Sequence, residues 1–207
     1  MENANQIETK IPLITMILIG INVLVFLYIE SRGSSYDTDF MLQMGASYEP
    51  LILEEHQYYR LVTHFFLHFG FEHLFNNMVS LLILGFSLEQ IIGRVAYLGI
   101  YLFSGILAGI ASIAYNVYIT GENAVSCGAS GAVYGLMGAL LVLLIAGRRH
   151  TGARQIPRYL IYLAVSLYSG ALDPTIDNAA HVGGFVAGII LCLIFIKGRR
   201  MEVTYES

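Results

Sequence analysis

Six long apolar runs, at residues 12–29, 73–92, 95–118, 125–146, 157–171 and 178–196, constrain this chain more than any other feature. A helix of about 20 apolar residues crosses a bilayer, and all of these runs but 157–171 reach or approach that length. Hydrocarbon offers no partner to backbone N–H and C=O groups, so a run that enters it must be helical. The expected fold is therefore an all-α polytopic membrane protein, a six-transmembrane-helix bundle. Residues are 56% hydrophobic and only 13% charged, which excludes an ordinary soluble domain. Residues 11–197 are expected to form one domain between two short tails, 1–10 and 198–207. The first run is too long for a signal peptide, lacks a small-residue cleavage site and precedes five further spans, so it is expected to be retained.

Basic residues set the expected orientation. With the amino terminus inside, nine of the eleven Lys and Arg residues face the cytoplasm, and only Arg32 and Arg60 lie outside. The opposite orientation breaks the positive-inside rule. Both tails are then cytoplasmic, and the second, fourth and sixth runs pass from outside to inside. The small size and bare six-helix core point to a prokaryotic cytoplasmic membrane. The net charge of −4 comes from acids in the outer loops and gives no sign of a nucleic-acid partner. Cys127 and Cys192 are both placed within spans, near opposite ends, and are not expected to form a disulfide. Asn22 in the first run is expected to bond another helix.

Over forty residues separate the first two runs, and a loop this long has structure or function of its own. Its second half, residues 58–69, is aromatic with scattered cationic and titratable points, a composition suited to the headgroup layer. His64 and His68 have the spacing of a zinc pair, with His56 or His73 as a third ligand on paper. No Cys or carboxylate completes that pattern, so the histidines are expected to fix the loop's shape. No metal and no cofactor are expected.

The chemistry concentrates at one end of three runs. His73 and Asn77 share a face near the start of the second. Ser130 lies between Gly128 and Gly131 near the start of the fourth, and His181 near the start of the sixth. Because these runs share one direction, all four residues fall within about 10 Å of the outer ends of their helices. Gly131 and Gly135 make a small-residue face on the fourth run, and Gly184 and Gly188 another on the sixth. If those faces meet, Ser130 and His181 arrive at similar depth. A serine needs a base to become a nucleophile, and a neutral imidazole supplies one. His73, Asn77 and the Ser130 backbone N–H could then stabilise an oxyanion. Tyr134, one turn below Ser130, could pack on the imidazole. No acid near that end is placed to orient His181 except Asp173 and Asp177 in a loop, so a dyad is expected rather than a triad.

Four motifs in this order resemble the rhomboids, a family of intramembrane serine proteases, over residues 58–188. Gly128-Ala129-Ser130-Gly131 matches the family's Gly-x-Ser-Gly, and His73 to Asn77 its His-x-x-x-Asn. Ala180-His181-Val182-Gly183-Gly184 with Gly188 matches its last-helix motif, and Tyr59-Arg60 stands where Trp-Arg is usual. The resemblance implies Ser130 as nucleophile, His181 as base, and His73 and Asn77 as oxyanion donors. It also implies a stacking role for Tyr134, and Arg60 as part of a structural loop half-embedded in the outer leaflet. The implied substrates are single-span membrane proteins cut beside small residues, reached laterally through the fifth helix and the loop 170–177. Two other classes are compatible with such a chain. One is a catalytically inactive relative that binds membrane segments, the other a small channel or transporter built on the polar cluster. The presence of both Ser130 and His181 argues against the first. The lack of evident inverted repeats argues against the second.

Overall fold

A computed structural model describes residues 11–146, 161, 163, 164, 168 and 176–198. Two long helices, α1 (Leu13–Arg32) and α5 (Gly70–Ile92), flank a loop that carries α2 (Thr38–Met44), α3 (Glu49–Leu53), α4 (Arg60–Thr63) and a 3-10 turn, His64–Phe66. They are followed by α6 (Arg94–Tyr115) with a π-turn at Asn116–Thr120, then α7 (Ser130–Ala146) and α8 (Asn178–Gly198). Four of these helices are long and apolar enough to cross a membrane, and α7 is a shorter apolar helix. Among the described residues, strand pairing is limited to one isolated bridge, Ser47 with Ser126. The expected run 157–171 falls largely outside the described residues, as do the two tails and Asp173.

Each long helix has a local reason to begin or end where it does. The Glu89 carboxylate caps α1, accepting from Ile14 N (3.0 Å), Thr15 N (2.9 Å) and Thr15 Oγ (2.9 Å). These are first-turn donors with no partner inside their own helix. A single residue, Gly93, joins α5 to α6 at φ +82°, a conformation that side chains with a Cβ rarely adopt. Helix α7 is buried continuously from Gly131 to Ala139, which makes it the centre of the bundle. Leu81, Leu88, Tyr97, Ile100, Tyr101, Ala132 and Leu136 form one core between α5, α6 and α7. The outward faces carry exposed Leu24, Ile83, Val95 and Ile194, apolar surface that suits lipid tails.

Two expectations are corrected. The fourth apolar run does not begin as a helix at Val125. Its first five residues are non-helical, so Ser130 opens α7 instead of sitting a turn within it, and Cys127 lies outside any helix. The second helix starts at Gly70, three residues before His73. Asn22 donates from Nδ2 to Leu18 O of its own helix at 2.8 Å, and its side chain also meets Tyr101 of α6, another helix.

Candidate active site

A non-helical segment packed beside membrane helices must find hydrogen-bond partners for its backbone. Residues 124–129 take theirs from the first long loop. Ala124 N donates to Glu49 Oε2 (2.9 Å), and Ser126 and Ser47 exchange backbone bonds of 2.9 and 3.0 Å. Gly128 N donates to His64 O (3.0 Å), and Ala129 N donates to His68 Nε2 (3.3 Å). The loop is itself pinned by buried Arg60, whose guanidinium donates to Leu42 O (2.7 Å), Ala46 O (2.8 Å) and Gln57 Oε1 (2.8 Å). Every step from Arg60 to Ala129 thus fixes the backbone that delivers Ser130.

Helix α8 approaches α7 through glycines. A Cβ on Gly184 would fall on Gly131 O, and one on Gly188 on Gly135 O, so the two backbones are in contact. This brings Ser130 Oγ to 2.9 Å from His181 Nε2. Tyr134 stacks on the imidazole, with ring centroids 4.2 Å apart and an interplanar angle of 14°. His181 is 8% exposed, and its Nδ1 has no hydrogen-bond partner among the described residues.

His73 lies against Gly128, whose φ of +136° and missing Cβ are both required there. A Cβ would sit 2.6 Å from His73 Cε1 and 2.7 Å from Nε2. Asn77 is buried, with Nδ2 donating to His73 O at 2.9 Å. The structure therefore gathers Ser130, His181, Tyr134, Gly128 and His73 at one end of the bundle, with Asn77 a turn below His73. Among the described residues no group of three or more His, Cys, Asp or Glu side chains could hold a metal ion.

The Rhomboid domain family model matches residues 55–198, more than half of the chain. The chain belongs to the rhomboid family. It is 32% identical over 177 residues to Rhomboid protease GluP of Bacillus subtilis, covering 86% of this chain and 34% of that protein. It is 38% identical over 162 residues to RHOMBOID-like protein 7 of Arabidopsis thaliana, covering 77% and 50%. Rhomboid-type serine protease 2 of Emericella nidulans is 32% identical over 143 residues, covering 68% and 27%. The chain spans half or less of the length of these relatives. With its apolar helices, this rhomboid is an integral membrane protein.

One residue of this rhomboid's site escaped the sequence reading. Asp177 was legible only as a loop acid near His181. It is the N-cap of α8, with Oδ1 accepting from Ala180 N (2.9 Å), and its other oxygen holds two serines. The signal was available in part, since an Asp three residues before the first buried helical residue marks an N-cap. Ser112 and Ser126 gave no signal, because pairing them with Asp177 requires the tertiary fold.

His64 and His68 respond to pH in a defined direction. Burial lowers His64 from 6.5 to about 4 and His68 from 6.5 to about 3. Above pH 6.5 both are neutral in folded and unfolded chains, and their contribution to stability is intact. Below it the unfolded chain takes up protons that the fold refuses. Stability then falls by about 1.4 kcal/mol per pH unit for each histidine, down to the folded pKa. A protonated His68 also loses the Nε2 lone pair that accepts from Ala129 N. Unfolding of the reconstituted protein between pH 7 and 4 should show this slope, and His64→Gln should flatten it.

Proposed function

We propose that this rhomboid is an intramembrane serine endopeptidase that hydrolyses peptide bonds in or beside the transmembrane segments of single-span proteins. The observation that carries the reading is the 2.9 Å separation of Ser130 Oγ and His181 Nε2 on two abutting helices. With the proton on Nδ1, Nε2 accepts the Ser130 proton as Oγ attacks the scissile carbonyl carbon. The carbonyl oxygen becomes an oxyanion facing the start of α7, where first-turn N–H groups and the helix dipole favour negative charge. His73 and the Asn77 amide, which has a second N–H beyond the one donated to His73 O, supply side-chain donors. His181 then protonates the leaving amine. A water deprotonated by His181 hydrolyses the acyl-enzyme and regenerates Ser130. Tyr134 holds the ring flat throughout. The chemistry requires no metal or cofactor.

In this reading the run 157–171 supplies the fifth of six spans, both tails are cytoplasmic, and the site opens to the extracytoplasmic side of a prokaryotic cytoplasmic membrane. Helix α7 has 17 residues, or about 25 Å, less than the ~30 Å hydrocarbon core. Ser130 is then recessed below the headgroups, at the depth of a substrate's own span. A backbone carbonyl in an intact helix is hydrogen-bonded and shielded, so a substrate must unwind locally to be cut. The test is a single-span reporter co-reconstituted in liposomes, together with a fluorophosphonate probe. The wild type should cleave the reporter and be labelled at Ser130. Binding of the reporter with neither cleavage nor labelling would instead identify an inactive relative.

A further inference from the structure

The Asp177 carboxylate bonds to three separate parts of the chain. Oδ2 accepts from Ser126 Oγ at 2.7 Å and from Ser112 Oγ at 2.5 Å, and Oδ1 accepts from Ala180 N at 2.9 Å. Ser126 belongs to the segment that leads into Ser130, Ser112 to α6, and Ala180 precedes His181. Ser126 is also tied through its backbone to Ser47. Capping α8 needs only one carboxylate oxygen. The second has no capping use, and it is the one that reaches the serine-bearing segment.

We propose, on the basis of the protease reading above, that Asp177 is a positioning residue that clasps the Ser130 segment to the His181 helix and sets the hydroxyl–imidazole distance. Its carboxylate acts through Ser126 and the start of α8. Ser126 is four residues before Ser130 and Asp177 four before His181, so each anchor lies close to a reacting group. Hydrogen bonds from hydroxyls to an ionised carboxylate are short and strong, which suits a joint that must hold two elements in register. An Asn at this position can still cap α8. Its Oδ1 keeps the cap, but Nδ2 can only donate to the serine hydroxyls, giving neutral bonds in place of two charge-assisted ones, so the clasp is weakened while the cap is kept.

The decisive variants are Asp177→Asn and Ser126→Ala in the full chain in liposomes. The readouts are reporter kcat and KM, the rate of fluorophosphonate labelling at Ser130, the folded fraction, and the His181 Nε2 nitrogen-15 shift. Loss of positioning predicts that Asp177→Asn lowers kcat per folded molecule about 10- to 100-fold, with KM within about twofold. Labelling slows in parallel and the His181 shift moves. Ser126→Ala should reproduce part of the loss, and the double variant should be no worse than Asp177→Asn alone. Turnover per folded molecule within twofold of wild type in Asp177→Asn would overturn the clasp, as would a double variant whose losses multiply. A wild type that neither cleaves nor labels would sink the protease reading itself. The clasp then stands on the nitrogen shift, and an unchanged shift in Asp177→Asn overturns it.

Discussion

Replacing Ser130 with alanine lowers reporter cleavage by at least about 10⁴-fold and leaves the bundle folded. Ser130 carries a hydroxyl 2.9 Å from the His181 imidazole. Cys127, three residues earlier, is a buried thiol outside α7 and cannot substitute. His181→Ala should cost a similar factor, and the double variant should be little worse than either single one, because the two side chains act as a unit. Folding is spared because alanine is a good helix former and only one hydrogen bond, about 1 kcal/mol, is removed. Cleavage in co-reconstituted liposomes and circular dichroism on the same samples make the check. Residual cleavage near wild-type level in Ser130→Ala would refute the nucleophile assignment.

Gly188→Val has the largest expected effect on the bundle itself. A Cβ at Gly188 would overlap Gly135 O, a main-chain atom in the middle of α7 that cannot rotate away. The two helices must therefore part, at a cost of about 3 kcal/mol, the upper end of ordinary overpacking. Activity falls as well. A displacement near 1 Å at the reacting atoms is worth about 100-fold in rate, and the same helix contact holds His181 beside Ser130. Gly20→Ala is the control, since a Cβ there meets nothing within 4 Å and stability should be unchanged or raised by about 0.5–1 kcal/mol. Unfolding in detergent, read beside kcat, separates the two effects. A Gly188→Val protein as stable as wild type would show that α7 and α8 do not depend on backbone contact.

Much of this arrangement was readable from one chain of letters. Hydrocarbon-length runs gave the helices, and the glycines at 131, 135, 184 and 188 gave the faces that touch. The start of the fourth helix was not readable, and the reason is physical. Cys127 to Ala129 is buried with Val125 and Ser126 half-buried, and hydrophobicity alone does not separate a packed non-helical segment from a buried helix. What keeps it out of the helix lies elsewhere in sequence, in the Ser47 backbone, the His64 carbonyl and the His68 ring. The amide of Asn22 also finds an acceptor one turn back in its own helix, which composition cannot reveal. Asp177 was visible as a nearby acid, but its serine partners are 51 and 65 residues away.

The order of the parts along the chain has a consequence for biosynthesis. Glu49, Ser47, His64 and His68, which receive the non-helical segment, are all translated before residues 124–129. The residues that receive the segment are therefore already synthesised when it leaves the ribosome. Ser130, by contrast, must wait for His181, fifty-one residues later. In the protease reading, the newborn chain therefore carries a hydroxyl without its base until the last helix docks, and cannot yet attack a peptide bond.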